Sequence, residues 1–147
     1  MLKIAPDIIT TSIDGLPKLE PIPGTKLKRL IEDFWAHSAK LKCWILIPKG
    51  FIYDEESTPW RGENPIAGLI HDYLSRFDSY PIVTKWQAAM VYDEFMFFED
   101  SLNKRKWYTK AHDWLWRGLK SGFVSICPDC VYWHKFSITA TYEEMAG

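Results

Sequence analysis

Apolar and polar positions change their spacing twice along this chain, and each change marks a change of element. Residues 1–27 are punctuated by Asp14-Gly15, Pro17, Pro21 and Pro23-Gly24. Such clusters end regular structure, so the segment reads as an extended arm with one or two short strands. Between Lys28 and Trp35 the pattern is mixed, with Leu30-Ile31 and Phe34-Trp35 split by Glu32-Asp33, and fits a strand or a short helix. Leu41 to Ile47 predicts a strand that turns at Pro48-Lys49-Gly50 into Phe51-Ile52-Tyr53. An acidic loop follows, Asp54-Glu55-Glu56-Ser57-Thr58-Pro59, with its tip at Trp60-Arg61-Gly62.

Three helices are expected after that loop. The first runs from Ile66 to Phe77, with Pro65 suited to its opening turn. The second runs from Thr84 to about Leu102, with Thr84 as N-cap and Gln87 three residues on completing a capping box. Trp86, Met90, Asp93 and Phe97 step by four, three and four along it, the spacing of one helical face, which predicts that Asp93 points where the apolar residues point. The third spans about Lys104 to Ser121 and stops at Gly122; Cys127 to Thr141 reads as a loop and a closing strand. The fold class expected is therefore a single α+β domain over 28–147, a small antiparallel β part packed on about three helices.

At 147 residues the chain suits one domain with a real core. Eight Trp, seven Tyr and eight Phe change that picture, because so many rings imply a bulky core or a contact surface. The net charge of −1 offers no general attraction to nucleic acid or anionic membranes. No apolar run approaches the ~20 residues of a membrane helix, the N-terminus lacks a signal-peptide core, and three cysteines give no disulfide framework. Synthesis and folding in a cytoplasm are expected.

The chemistry-bearing candidates centre on His71-Asp72, with Asp93 on the next helix. Imidazole titrates near neutrality, and a carboxylate on its second nitrogen would fix its tautomer, so His71 and Asp93 could form a general-base dyad. A hydrogen bond between them across antiparallel helices is the geometric expectation. Asp54, directly after a strand, is expected to turn into the same cleft, although Asp54 with Ser57 also reads as a turn cap. His112-Asp113 repeats the His-Asp pair, but Asp113 shares a face with Lys106, Lys110, Arg117 and Lys120 and reads as solvated. A phosphohydrolase reading of His37, His71-Asp72 and Asp113 conflicts with the strands between them. Cys127 and Cys130 have half a zinc knuckle's spacing, which His134 or Cys43 would have to complete; two free thiols near a turn is the simpler reading.

The run Ile47 to Pro59, followed by Ala67-Gly68-Leu69-Ile70-His71-Asp72-Tyr73-Leu74, resembles the phage and prophage family catalogued as domain of unknown function 1353. Tyr92-Asp93-Glu94-Phe95 stands in the position of its later motif, with Lys85 where that family has Arg. The resemblance covers about residues 40–120 and implies a phage gene product, made in the host cytoplasm and carried in the virion, with other phage proteins as partners. The His-Asp helix beside an Asp-bearing helix also resembles the core of small microbial phospholipases A2, without their flanking cysteines. That likeness implies His71 as general base, Asp93 as its orienting partner, Asp72 as a calcium ligand and a lipid or membrane-surface ester as substrate. The competing expectation is a non-catalytic structural or adaptor protein of the tail or capsid, with the same residues forming a buried polar network.

Overall fold

The computed structural model of the protein describes residues 10–54, 65–102, 115, 119 and 133–146. Two three-stranded antiparallel sheets account for the first part. One has the order β1 (Ser12–Ile13), β4 (Phe34–Ser38), β5 (Cys43–Ile47), and the other β2 (Leu19–Pro21), β3 (Leu27–Leu30), β6 (Ile52–Asp54). Both short strands of the N-terminal arm are therefore paired into the sheets. The ambiguous stretch 28–35 is two strands with a bend between them: Glu32 and Asp33 are exposed there, and Asp33 accepts the Lys49 N–H at 2.7 Å.

Alternation gives the first sheet its two faces. Phe34, Ala36, Ser38, Ile45 and Ile47 are buried, while Trp35 and Trp44 stand half exposed on the other side. β3 and β6 are bridged at their far end by the turn, where Leu30 donates to Phe51 O and Gly50 to Leu30 O. Gly50 has φ +90°, a conformation that glycine adopts without steric cost.

Helix α1 (Pro65–Leu74) begins on its proline and ends three residues short of the expected Phe77, because Ser75 and Arg76 close it with turn hydrogen bonds. Helix α2 (Lys85–Leu102) opens on the capping box, with Thr84 N–H bonded to Gln87 Oε1 at 2.9 Å and Gln87 N–H to Thr84 Oγ1 at 3.1 Å. The two helices pack on each other and α1 also lies against β6. Leu30, Phe34, Ile45, Ile47 and Phe51 from the sheets meet Leu69, Ile70, Leu74, Val91, Phe95 and Met96 from the helices in one core.

One expectation needs correction over its described part. Residues 133–141 form turns, with no closing strand among the described residues, and a short helix α3 (Tyr142–Ala146) follows. It has its own capping box, Thr141 with Glu144, which the sequence carried unread. The expected third helix, 104–121, lies outside the described residues except for Leu115 and Leu119, which are helical and exposed.

Candidate functional site

The orientation of α2 decides the geometry of the expected dyad. Its buried face is Ala88, Ala89, Val91, Tyr92, Glu94, Phe95, Met96 and Glu99. The row Trp86, Met90, Asp93, Phe97 points away from the core instead, with Trp86 65% and Phe97 58% exposed. The physical reason is that α2 carries large apolar residues on two sides, so two rows satisfy helical spacing, and the row carrying two glutamates is the one that packs inward.

Asp93 consequently lies at the surface, 4.0 Å from Lys40 Nζ. His71 packs edge-on against Tyr92, with ring centroids 5.4 Å apart, and its buried Nε2 has no hydrogen-bond partner. The expected His71–Asp93 bond through that nitrogen is not formed. Although His71 is only half-buried as a residue, Nε2 itself is sealed from solvent. Burial, with a smaller contribution from the Lys85 ammonium, lowers the His71 pKa to about 4. The imidazole is thus neutral at physiological pH.

This sets a pH dependence with a definite sign. The unfolded chain binds the His71 proton with a pKa near 6.5 and the folded chain with one near 4, so protonation favours unfolding. The contribution is complete above about pH 6.5, falls as pH is lowered towards 4, and amounts to at most about 3 kcal/mol. Urea unfolding at pH 7 and pH 4.5, in the native chain and in His71→Leu, measures it. An unchanged pH difference in the variant would assign the effect to other groups.

Asp72 is held by a different partner. Its Oδ2 receives Arg76 Nη2 at 2.9 Å, an i,i+4 ion pair whose arginine side chain is 1% exposed. The Arg76 guanidinium also donates to Ile52 O at 2.9 Å and to Asp72 O and Ser137 O at 3.3 Å. It lies over the Phe51 ring at 4.8 Å and near Phe136 at 5.7 Å. Beside it, Asp78 accepts Ser137 Oγ and the Ile138 N–H, and His134 N–H bonds Ser75 O at 2.7 Å. One buried cation therefore joins α1, β6 and the segment 133–146.

Two buried carboxylates on α2 escaped notice in the sequence. Glu94 accepts from Thr11 Oγ1, Ser38 Oγ at 2.7 Å, and the N–H groups of Ala39 at 2.6 Å and Lys40 at 3.3 Å. It holds the β4–β5 turn and the start of β1. Glu99 accepts the Ala67 N–H at 2.5 Å, placing negative charge at the first turn of α1, where exposed amides and the helix dipole favour it. Only knowledge of which α2 row is buried would have singled them out.

Asp54 closes β6 by pairing with Leu27 through its backbone, and its side chain, Ser57 and the Trp60-Arg61-Gly62 tip lie outside the described residues. So do His112, Asp113, Cys127 and Cys130. His37 bonds Thr10 O at 2.8 Å on the sheet face opposite the core. Burial and then the Glu94 charge raise the Cys43 pKa, which favours the thiol over the metal-binding thiolate. Among the described residues no three His, Cys, Asp or Glu side chains are grouped to hold a metal ion, and no helix is long and apolar enough to cross a membrane. No family model, curated protein or solved structure matches the chain.

Proposed function

We propose that this chain is a non-catalytic structural or adaptor protein of a phage particle, made in the host cytoplasm and assembled with other phage proteins. The observation that carries the non-catalytic part is the commitment of the Asp72 carboxylate to the buried Arg76 guanidinium. A calcium ion at Asp72 would have to compete with that cation and would leave it buried without its counter-charge. Half-exposed rings on two separate faces, Trp35 with Trp44 and Trp86 with Phe97, support contact with protein partners. The phage setting rests on the motif resemblance of residues 47–59 and 67–74.

One observation favours a second reading, calcium-assisted ester hydrolysis of the phospholipase A2 type. The buried, unpartnered Nε2 of His71 is the kind of atom that accompanies functional sites. On that reading His71 is the base, Asp93 orients it after a rearrangement, Asp54 walls the cleft and Asp72 binds calcium.

Calcium titration separates the two. The structural reading expects no rise in the thermal midpoint on adding calcium and no loss on chelation. Specific binding at a hundredfold excess over the dissociation constant would stabilise the fold by roughly 2.7 kcal/mol. Such a rise, accompanied by hydrolysis of a phospholipid vesicle that His71→Ala abolishes, would replace the structural reading with the enzymatic one.

A further inference from the structure

We infer that the free edge of β5 is a self-association site, at which two copies of this chain pair their β5 strands antiparallel about a two-fold axis through Ile45. The inference stands apart from the function proposed above, since an enzyme could use the same edge.

The backbone of β4 shows which groups of β5 are open. Trp35 O accepts the Asp14 N–H at 3.0 Å, so the Trp35 backbone faces β1 and not β5. In an antiparallel ladder both polar groups of a residue point the same way, and the direction alternates along the strand. Phe34, Ala36 and Ser38 therefore bond their β5 partners Ile47, Ile45 and Cys43. Trp44 and Leu46, opposite His37 and Trp35, turn their N–H and C=O groups away from β4. No described residue bonds them on that side, where β5 is the last strand of its sheet.

Open groups alternating at this spacing are met by another strand, and edge strands ordinarily carry a charge, a proline or a bulge that prevents such pairing. Cys43 to Ile47 carries none of these: it is uncharged, and its register with β4 runs without interruption. The length of the open stretch selects the occupant. Pro48, the next residue facing the edge, has no N–H, and its carbonyl already accepts the Phe51 N–H at 3.1 Å. At the other end Lys42 lies in a left-handed turn, with φ +56°. The open groups are thus those of Trp44 and Leu46 alone, and a longer foreign strand would overhang them at both ends. A second β5 ends where the first one does.

An axis through Ile45 sets Trp44 against Leu46 of the second copy and Leu46 against its Trp44, so every open N–H meets an open C=O. Moving the axis to Trp44 would face Leu46 with the turn at Lys42, and moving it to Leu46 would face Trp44 with Pro48. The side chains agree with the same register. Trp35 and Leu46 are cross-strand neighbours on the outer face, as are His37 and Trp44, whose rings lie 5.2 Å apart. The join extends each row to Trp35, Leu46, Trp44 and His37, so that Trp44, 49% exposed, is covered by a leucine. Lys42 and Lys49 lie beyond the paired stretch. The opposite edge of the sheet, β1, is two residues long, and an isologous contact closes at two copies.

Sedimentation equilibrium and hydrogen exchange of the full chain, from micromolar to millimolar concentration, test the inference. A monomer–dimer equilibrium is expected, with the Trp44 and Leu46 amides exchanging fast in dilute chain and slowly in concentrated chain. Leu46→Pro removes an N–H that bonds nothing within the chain, a place where an edge strand accepts proline. It should raise the dissociation constant roughly tenfold to a hundredfold, because the symmetry removes two hydrogen bonds together. The Ile45 amide, bonded to β4, should stay protected at every concentration and reports that the variant is folded. A chain that remains monomeric at millimolar concentration, leaving the edge to a strand of a different protein, would overturn the inference. So would a dimer whose Trp44 and Leu46 amides exchange freely, or one that Leu46→Pro leaves equally tight.

Discussion

Arg76→Met should lower the free energy of unfolding by about 3–5 kcal/mol, the range typical of removing one member of a buried ion pair. The substitution keeps an apolar stem of similar length, so cavity formation is a minor part of the loss. What disappears is the planar group that donates to Ile52 O, Ser137 O, Asp72 O and the Asp72 carboxylate at once. Asp72 retains one-fifth of its side-chain exposure and can recover some hydration, whereas the donor lost at Ile52 O comes from a bond made in a buried setting. Arg76→Lys should also destabilise, by about 2 kcal/mol, because an ammonium cannot reproduce a fork of fixed geometry. Denaturant unfolding gives the magnitude, and hydrogen exchange gives the place. The amides of His134, bonded to Ser75 O, and Phe77, bonded to Phe136 O, should exchange faster in both variants. A loss below about 1 kcal/mol for Arg76→Met would mean that the C-terminal segment is held by its apolar contacts and by Asp78, with the cation incidental.

The contacts of Arg76 are of a kind that the local sequence around His71 and Asp72 does not announce. In sequence, Asp72 is adjacent to a histidine, and the residue four places on, Arg76, sits in the unremarkable string Ser75-Arg76-Phe77. Only the docking of β6 and residues 133–138 around the end of α1 makes Arg76 a buried group in need of a counter-charge. Those are contacts across 24 and 61 positions, which no local spacing encodes. Local signals fared better. Pro65, the Thr84–Gln87 box and the Pro48-Lys49-Gly50 turn each act over a few residues, and each marks an element boundary in the structure.

The orientation of α2 is hidden in the sequence for a comparable reason. A helix with Trp86, Met90 and Phe97 on one side and Val91, Tyr92 and Phe95 on the other has no single apolar face, so periodicity alone could not choose the buried one. The burial of Glu94 and Glu99 would have seemed an argument against the correct face, since carboxylates enter an interior only with partners. Among the described residues, other elements supply backbone amides and hydroxyls as partners: Ala39, Lys40, Ser38 and Thr11 to Glu94, and Ala67 to Glu99. Polar groups of that kind carry no sequence signature.

Glu94→Ala should therefore cost about 3 kcal/mol, and Glu94→Gln about 1–2 kcal/mol. The alanine variant strips the acceptor from the Ala39 and Lys40 amides and from the Ser38 and Thr11 hydroxyls together, in a place where little water can replace it. Glutamine keeps the shape and one oxygen, which can still accept from Thr11 and the two amides, though without the strength that charge gives a hydrogen bond. Its NH2 group then faces Ser38 Oγ, which already accepts from Leu41 N–H at 3.1 Å and donated its own proton to the carboxylate. The Ser38 proton is left without an acceptor, so the loss with glutamine exceeds that from weakened bonds alone. Ser38→Ala in the Glu94→Gln background removes that proton, but it also takes the acceptor from Leu41 N–H and from the glutamine NH2, so it should lower stability further. Urea unfolding of the four chains measures the cycle, and faster exchange of the Ala39 and Lys40 amides in Glu94→Ala would locate the damage at the β4–β5 turn. Glu94→Gln equal in stability to the native chain would show that shape rather than charge holds the turn, and that the buried carboxylate is dispensable.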